Sequence, residues 1–138
     1  MRFFKFIVLI ILLQSCNMAK YSLIEHKTGM RVCDEEFEVY FSKTSIRNKK
    51  IYTEGVVKDH YNRTVEWCNV YLGKGTNDTI FLQKWIAATN KEGRFKVKLK
   101  EGEFIVFKSL GYSAKIYQLM LQNQTEEEKF PCWYKIVE

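Results

Sequence analysis

From residue 51 onward the chain alternates apolar and polar side chains with a period of two, the signature of half-buried β-strands. The clearest stretch is Arg94-Phe95-Lys96-Val97-Lys98-Leu99-Lys100, with Phe95, Val97 and Leu99 on one face and four cations on the other. The same pattern predicts strands over 52–58, 67–72, 80–88, 94–99, 104–109, 115–121 and 133–137, and an earlier one at Phe37-Glu38-Val39-Tyr40-Phe41. Turn-forming residues separate several of them: Gly73-Lys74-Gly75-Thr76-Asn77-Asp78, Asn90-Lys91-Glu92-Gly93, Glu101-Gly102 and Gly111. No helical period persists for more than a turn or two. About seven short strands at this spacing predict an all-β fold, a single β-sandwich occupying residues 49–138. Residues 122–129, with Glu126-Glu127-Glu128, read as a loop before the closing strand.

The first residues follow a different pattern. Met1-Arg2-Phe3-Phe4-Lys5 is a positive start, and Phe6-Ile7-Val8-Leu9-Ile10-Ile11-Leu12-Leu13 is an unbroken apolar run. That run is too short to span a bilayer, which takes about 20 residues of helix, and it has the length of a secretory h-region. Leu13-Gln14-Ser15-Cys16 then resembles the bacterial lipobox, with Leu three residues before the cysteine and a small Ser next to it. The resemblance implies a signal peptide over 1–15, cleavage before Cys16, and a lipidated Cys16 that holds the mature chain on a lipid bilayer. Residues 16–48 are then a lipidated N-terminus and polar spacer containing the strand at 37–41. The residues after Cys16, Asn17-Met18-Ala19-Lys20, lack the acidic run associated with export to the outer face in Bacteroidota-type lipoproteins. This favours an outer-membrane lipoprotein facing the periplasm over a surface-exposed one.

Composition sharpens the class. With 46% hydrophobic and 28% charged residues the balance is that of a globular domain, and 8 Tyr, 10 Phe and 3 Trp beside a single Pro favour strands. The formal charge is +6, and loss of Arg2 and Lys5 with the signal peptide leaves +4. The cations alternate with Glu, which disfavours nucleic acid as a partner. Attraction to an anionic membrane or polyanionic glycan would use these cations, and so would an ordinary solvated surface.

Four pieces, in order, carry a family resemblance: Gly55-Val56-Val57-Lys58-Asp59, Cys68-Asn69-Val70-Tyr71-Leu72, Thr89-Asn90-Lys91-Glu92-Gly93-Arg94-Phe95 and Ser109-Leu110-Gly111-Tyr112. They resemble the G-x-V-x-D strand, A-N-V-x-L strand, T-D-x-x-G-x-F turn and S-x-x-G-Y signature of the carboxypeptidase regulatory-like domain, a transthyretin-type β-sandwich. Cys68 stands where that family often has Ala, and Asn90 where it has Asp. Gly93 is expected to take the positive φ of a tight turn, and Tyr112 to lie back across the sandwich. The resemblance implies a structural or interaction module without catalytic residues or a cofactor.

The candidate chemistry is sparse. With Cys16 lipidated, Cys33, Cys68 and Cys132 remain, enough for one internal bridge. Cys33 with Cys132 is the favoured pair, because Cys68 falls at an inward position; all three reduced is the alternative. Neither C-x-x-C nor H-x-x-x-H spacing occurs, so no metal site is expected. His26 and His60 fall in a spacer and a loop and read as surface side chains, and no nucleophile elbow accompanies them. Trp67, Trp85 and Trp133 read as core by default, Trp85 being the candidate for stacking on a glycan or peptide. Asp78-Thr79-Ile80 resembles the O-glycosylation site of Bacteroidota and makes Thr79, on an expected loop, a candidate acceptor. The expectation is a non-enzymatic, membrane-tethered module that meets another envelope protein; the alternative is a glycan- or peptide-binding accessory.

Overall fold

A computed structural model describes residues 21–28, 35–48, 50–121, 130–131 and 133–138. Among these described residues nine strands follow in chain order: β1 (Tyr21–His26), β2 (Phe37–Arg47), β3 (Lys50–Asp59), β4 (Asn69–Thr76), β5 (Thr79–Ala88), β6 (Arg94–Lys100), β7 (Phe104–Lys108), β8 (Lys115–Leu121) and β9 (Lys135–Val137). The protein is all-β. One sheet has the order β1-β8-β7-β4-β5-β9 and the other β2-β3-β6, and the two face each other as a sandwich.

The period of two explains the packing. Along β6 the burial alternates strictly, placing Phe95, Val97 and Leu99 inward, and along β3 Ile51, Thr53 and Val57 do the same. From the larger sheet Val70, Ile105, Phe107, Tyr117 and Leu119 meet them, completing the main core. Its centre is aromatic: Phe107 packs edge-on against Phe41, Phe95 and Tyr117. Lys115 of β8 reaches Glu25 of β1 at 3.2 Å and Glu38 of β2 at 3.5 Å, and so ties the two sheets together. Burial works against its charge, yet Glu25, Glu38 and Glu36 outweigh that and raise the lysine above its ordinary range.

The larger sheet also curls. Tyr134 pairs with Thr28 in a parallel bridge and donates its backbone N–H to Lys27 O at 2.8 Å, while β9 runs parallel to β5. The curl encloses a second cluster of Ile80, Phe104, Val106, Ile116 and Tyr134.

Several expectations change here. Two strands before residue 49 are built into the sheets: β2 continues to Arg47, beyond the anticipated 37–41, and β1, unforeseen in the spacer, pairs with β8. Gly73 and Gly75 lie within β4 instead of a loop. A Cβ at Gly73 would lie 2.6 Å from Ile80, and one at Gly75 2.4 Å from Phe104, so these glycines admit a close neighbour on one face of the strand. The turn shrinks to Asn77 and Asp78, with Asn77 at φ 55. Trp67 leaves the predicted strand for a turn, at φ 60.

Candidate interaction surfaces

The four motif pieces supply parts of strands β3 and β4 and the turns that follow β5 and β7. Asp59, at the end of β3, is 7% exposed, yet its Oδ1 accepts the N–H groups of Tyr61 and Arg63 and its Oδ2 accepts from Arg63 Nε, each at 2.9 Å. Burial alone would push this carboxyl up; the hydrogen bonds and charge of Arg63 outweigh it and hold it below the usual carboxylate range. Asn90 does the same for the next turn, its Oδ1 accepting from Glu92 and Arg94 backbone N–H, so an amide oxygen does here what a carboxylate oxygen does at Asp59. Gly93 closes that turn at φ +70. Thr89 is buried, donates to Val65 O at 2.6 Å and accepts from Cys68 N–H at 2.8 Å. Tyr112 meets Phe37 of the facing sheet edge-on at 5.7 Å. These groups are committed to structure.

Of the cysteines, Cys68 is fully buried and unbridged, as its inward position required, and burial pushes its thiol up to about 12. Cys16, Cys33 and Cys132 lie outside the described residues. Thr79 begins β5 instead of sitting on a loop, hydrogen-bonds Asp78, and is followed by fully buried Ile80. His26 is a correction. It is 8% exposed, with Nε2 3.1 Å from Gln118 Oε1 and its ring against Phe104, Phe130 and Tyr134. The curl of the larger sheet covers what a reading of the spacer left open, and burial lowers its pKa. His60 stays exposed, stacked on Tyr61. Among the described residues no group of three His, Cys, Asp or Glu side chains could hold a metal ion.

The three tryptophans reverse expectation: Trp67, Trp85 and Trp133 are 72%, 53% and 49% exposed, because Phe and Tyr fill the narrow core instead. Trp85 Nε1–H donates to Asn69 Oδ1 at 3.0 Å, which fixes the ring on the surface beside a shallow hollow lined by Tyr71, Leu82 and Glu138.

Strand register gathers what the sequence scatters. Across the outer face of the smaller sheet, Arg47, Lys50 and Lys100 form one row, Ser45, Tyr52 and Lys98 the next, then Lys43, Glu54 and Lys96, then Tyr40, Val56 and Arg94, and last Glu38 and Lys58. Eight cations thus share a face with two carboxylates. A row of three adjacent cations is repulsive. The neighbouring Lys98, and beyond it the charge of Lys100, press Lys50 below the ordinary lysine value. Beside this row lies an open groove of about 720 Å³ whose lining combines Lys50, Lys84, Lys98 and Lys100 with the carboxylates Glu54 and Glu103. The edge of the same sheet is also open: β2 pairs with β3 along one side only among the described strands.

No protein-family model matches the chain, and neither a curated protein nor a solved structure matches it significantly. The surfaces themselves carry the functional argument.

Proposed function

We propose that the protein is a non-enzymatic envelope lipoprotein, anchored through Cys16, whose carboxypeptidase regulatory-like sandwich meets another envelope protein. The observation that supports this most directly is β2, an eleven-residue strand with one partner among the described strands, whose other edge can accept a strand from another chain. Its own side chains are suited to contact: Tyr40 and Ile46 are 54% and 46% exposed. A Tyr40→Lys, Ile46→Lys double variant places gatekeeping charge on the strand and should abolish co-purification of the partner while leaving the circular-dichroism spectrum unchanged. Retained co-purification would exclude β2 as the contact. The anchor has its own test: Cys16→Ala should lose incorporation of labelled palmitate, and persistent labelling would refute the assignment.

The fixed, exposed ring of Trp85 favours a second reading, capture of a glycan or peptide. Binding on a glycan array that disappears with Trp85→Ala would support it over the first.

A further inference from the structure

We infer that the cationic row Arg47, Lys50 and Lys100, with Lys98 of the adjoining row, is a docking surface for the anionic headgroups of the bilayer in which the chain is anchored. The inference rests on the lipid-anchor reading of Cys16 and adds which end of the sandwich faces the membrane.

The argument is one of topology. The described chain begins at Tyr21, whose partner is Leu121; two residues on, Leu23 pairs with Leu119. Leu119 is in turn held by the β6–β7 turn, accepting from Gly102 N–H at 2.7 Å and donating to Glu103 O at 3.2 Å. Lys100 opens that turn and lies opposite Lys50, itself opposite Arg47. The point where the chain enters the sandwich and the densest cations of its basic face therefore share one end of the molecule. Cys16 precedes Tyr21 by five residues, which reach at most about 18 Å when fully extended. Acyl chains on Cys16 would hold this end close to the lipid surface, where screening over roughly 8 Å leaves phosphate charge effective.

The chemistry of the face fits. Each cation brought to an anionic surface strengthens the association about fivefold. The exposed Tyr52, in the row next to Lys50, supplies a ring that settles at headgroup depth. Lys98 lies 5.6 Å from the Tyr52 ring centroid, so cation and aromatic form one contact unit. The repulsion among Arg47, Lys50 and Lys100 is relieved further when phosphate lies across them. The opposite end of β6, at the Lys91 turn, is about 20 Å away along the strand and would stay in solvent.

The test uses the full chain, processed in bacteria and reconstituted into vesicles of phosphatidylcholine alone or with phosphatidylglycerol. Amine acylation at each lysine is read by mass spectrometry, with Lys91 as internal reference. Expected is labelling at Lys50, Lys98 and Lys100 slowed about threefold or more on anionic vesicles only, restored by high salt, with Lys91 unchanged. Equal rates on both vesicles, in protein that floats with them, would overturn the surface while sparing the anchor. Protection of Lys91 to the same degree would overturn the orientation, and protein that fails to float would remove the anchor and the inference with it.

Discussion

Truncating Phe107 tests the core described above. Its side chain is fully buried and packs edge-on against Phe41, Phe95 and Tyr117 at centroid separations of 6.2, 5.0 and 5.8 Å. Removing a buried Phe ring costs about 3–5 kcal/mol, and loss of three ring contacts, each worth about 0.5–1.5 kcal/mol, places Phe107→Ala near the upper end. Against a total stability of about 5–15 kcal/mol this is a large fraction, a fall in Tm on the order of 15 °C. Urea unfolding followed by far-ultraviolet circular dichroism is the suitable assay, because all three tryptophans are exposed and their fluorescence reports the core poorly. Phe81→Ala is the control: Phe81 is 46% exposed and should cost less than about 1 kcal/mol. A Phe107→Ala loss no larger than that of Phe81→Ala would refute this packing of the two sheets.

Gly93→Ala should destabilise by about 2–4 kcal/mol, since φ is +70 and the new Cβ would lie 2.6 Å from Val57 O; Gly111→Ala, at φ +86 with open space around it, should cost only about 1 kcal/mol. Equal losses in urea melts would contradict the clash. Because burial lowers the pKa of His26, the unfolded chain binds the proton first, so stability should decline as pH falls below the ordinary value of 6.5, and His26→Phe should flatten that decline. An unchanged slope in melting temperature against pH would place the dependence elsewhere. Cys68, with its thiol pushed up to about 12, should resist maleimide in the folded protein and react in urea, as read by peptide mass spectrometry. Rapid native labelling would show that the position is open.

Where side-chain order alone decides structure, the sequence was readable. The alternation in Arg94–Lys100 fixes its buried face, and Lys115–Leu121 appears with the boundaries the pattern gives. Asn90 and Gly93 announce a turn because their chemistry acts within a few residues. What the sequence hid depends on pairing across distance. Tyr21–His26 has no strong alternation and becomes a strand because β8 offers it an edge. His26 becomes a buried side chain only once residues more than a hundred positions later close over it. The basic face was half visible in β6, but its rows need the β2–β3–β6 register, including the bulge between Phe41 and Lys43. Tryptophan misleads because its size argues for burial, while the rings that fill the main core here are Phe and Tyr.

The way the larger sheet is fastened bears on the order in which the fold can close. Residues 134–137 clasp β5 and the end of β1, contacts separated by some of the longest stretches of sequence in the molecule. Until that clasp arrives, Phe104 and Ile80 are left without their cover, and long-range closure of this sort folds slowly. Until β9 docks, the apolar faces of Ile80 and Phe104 stay open to unwanted association, so the slowest step of folding is also its most exposed.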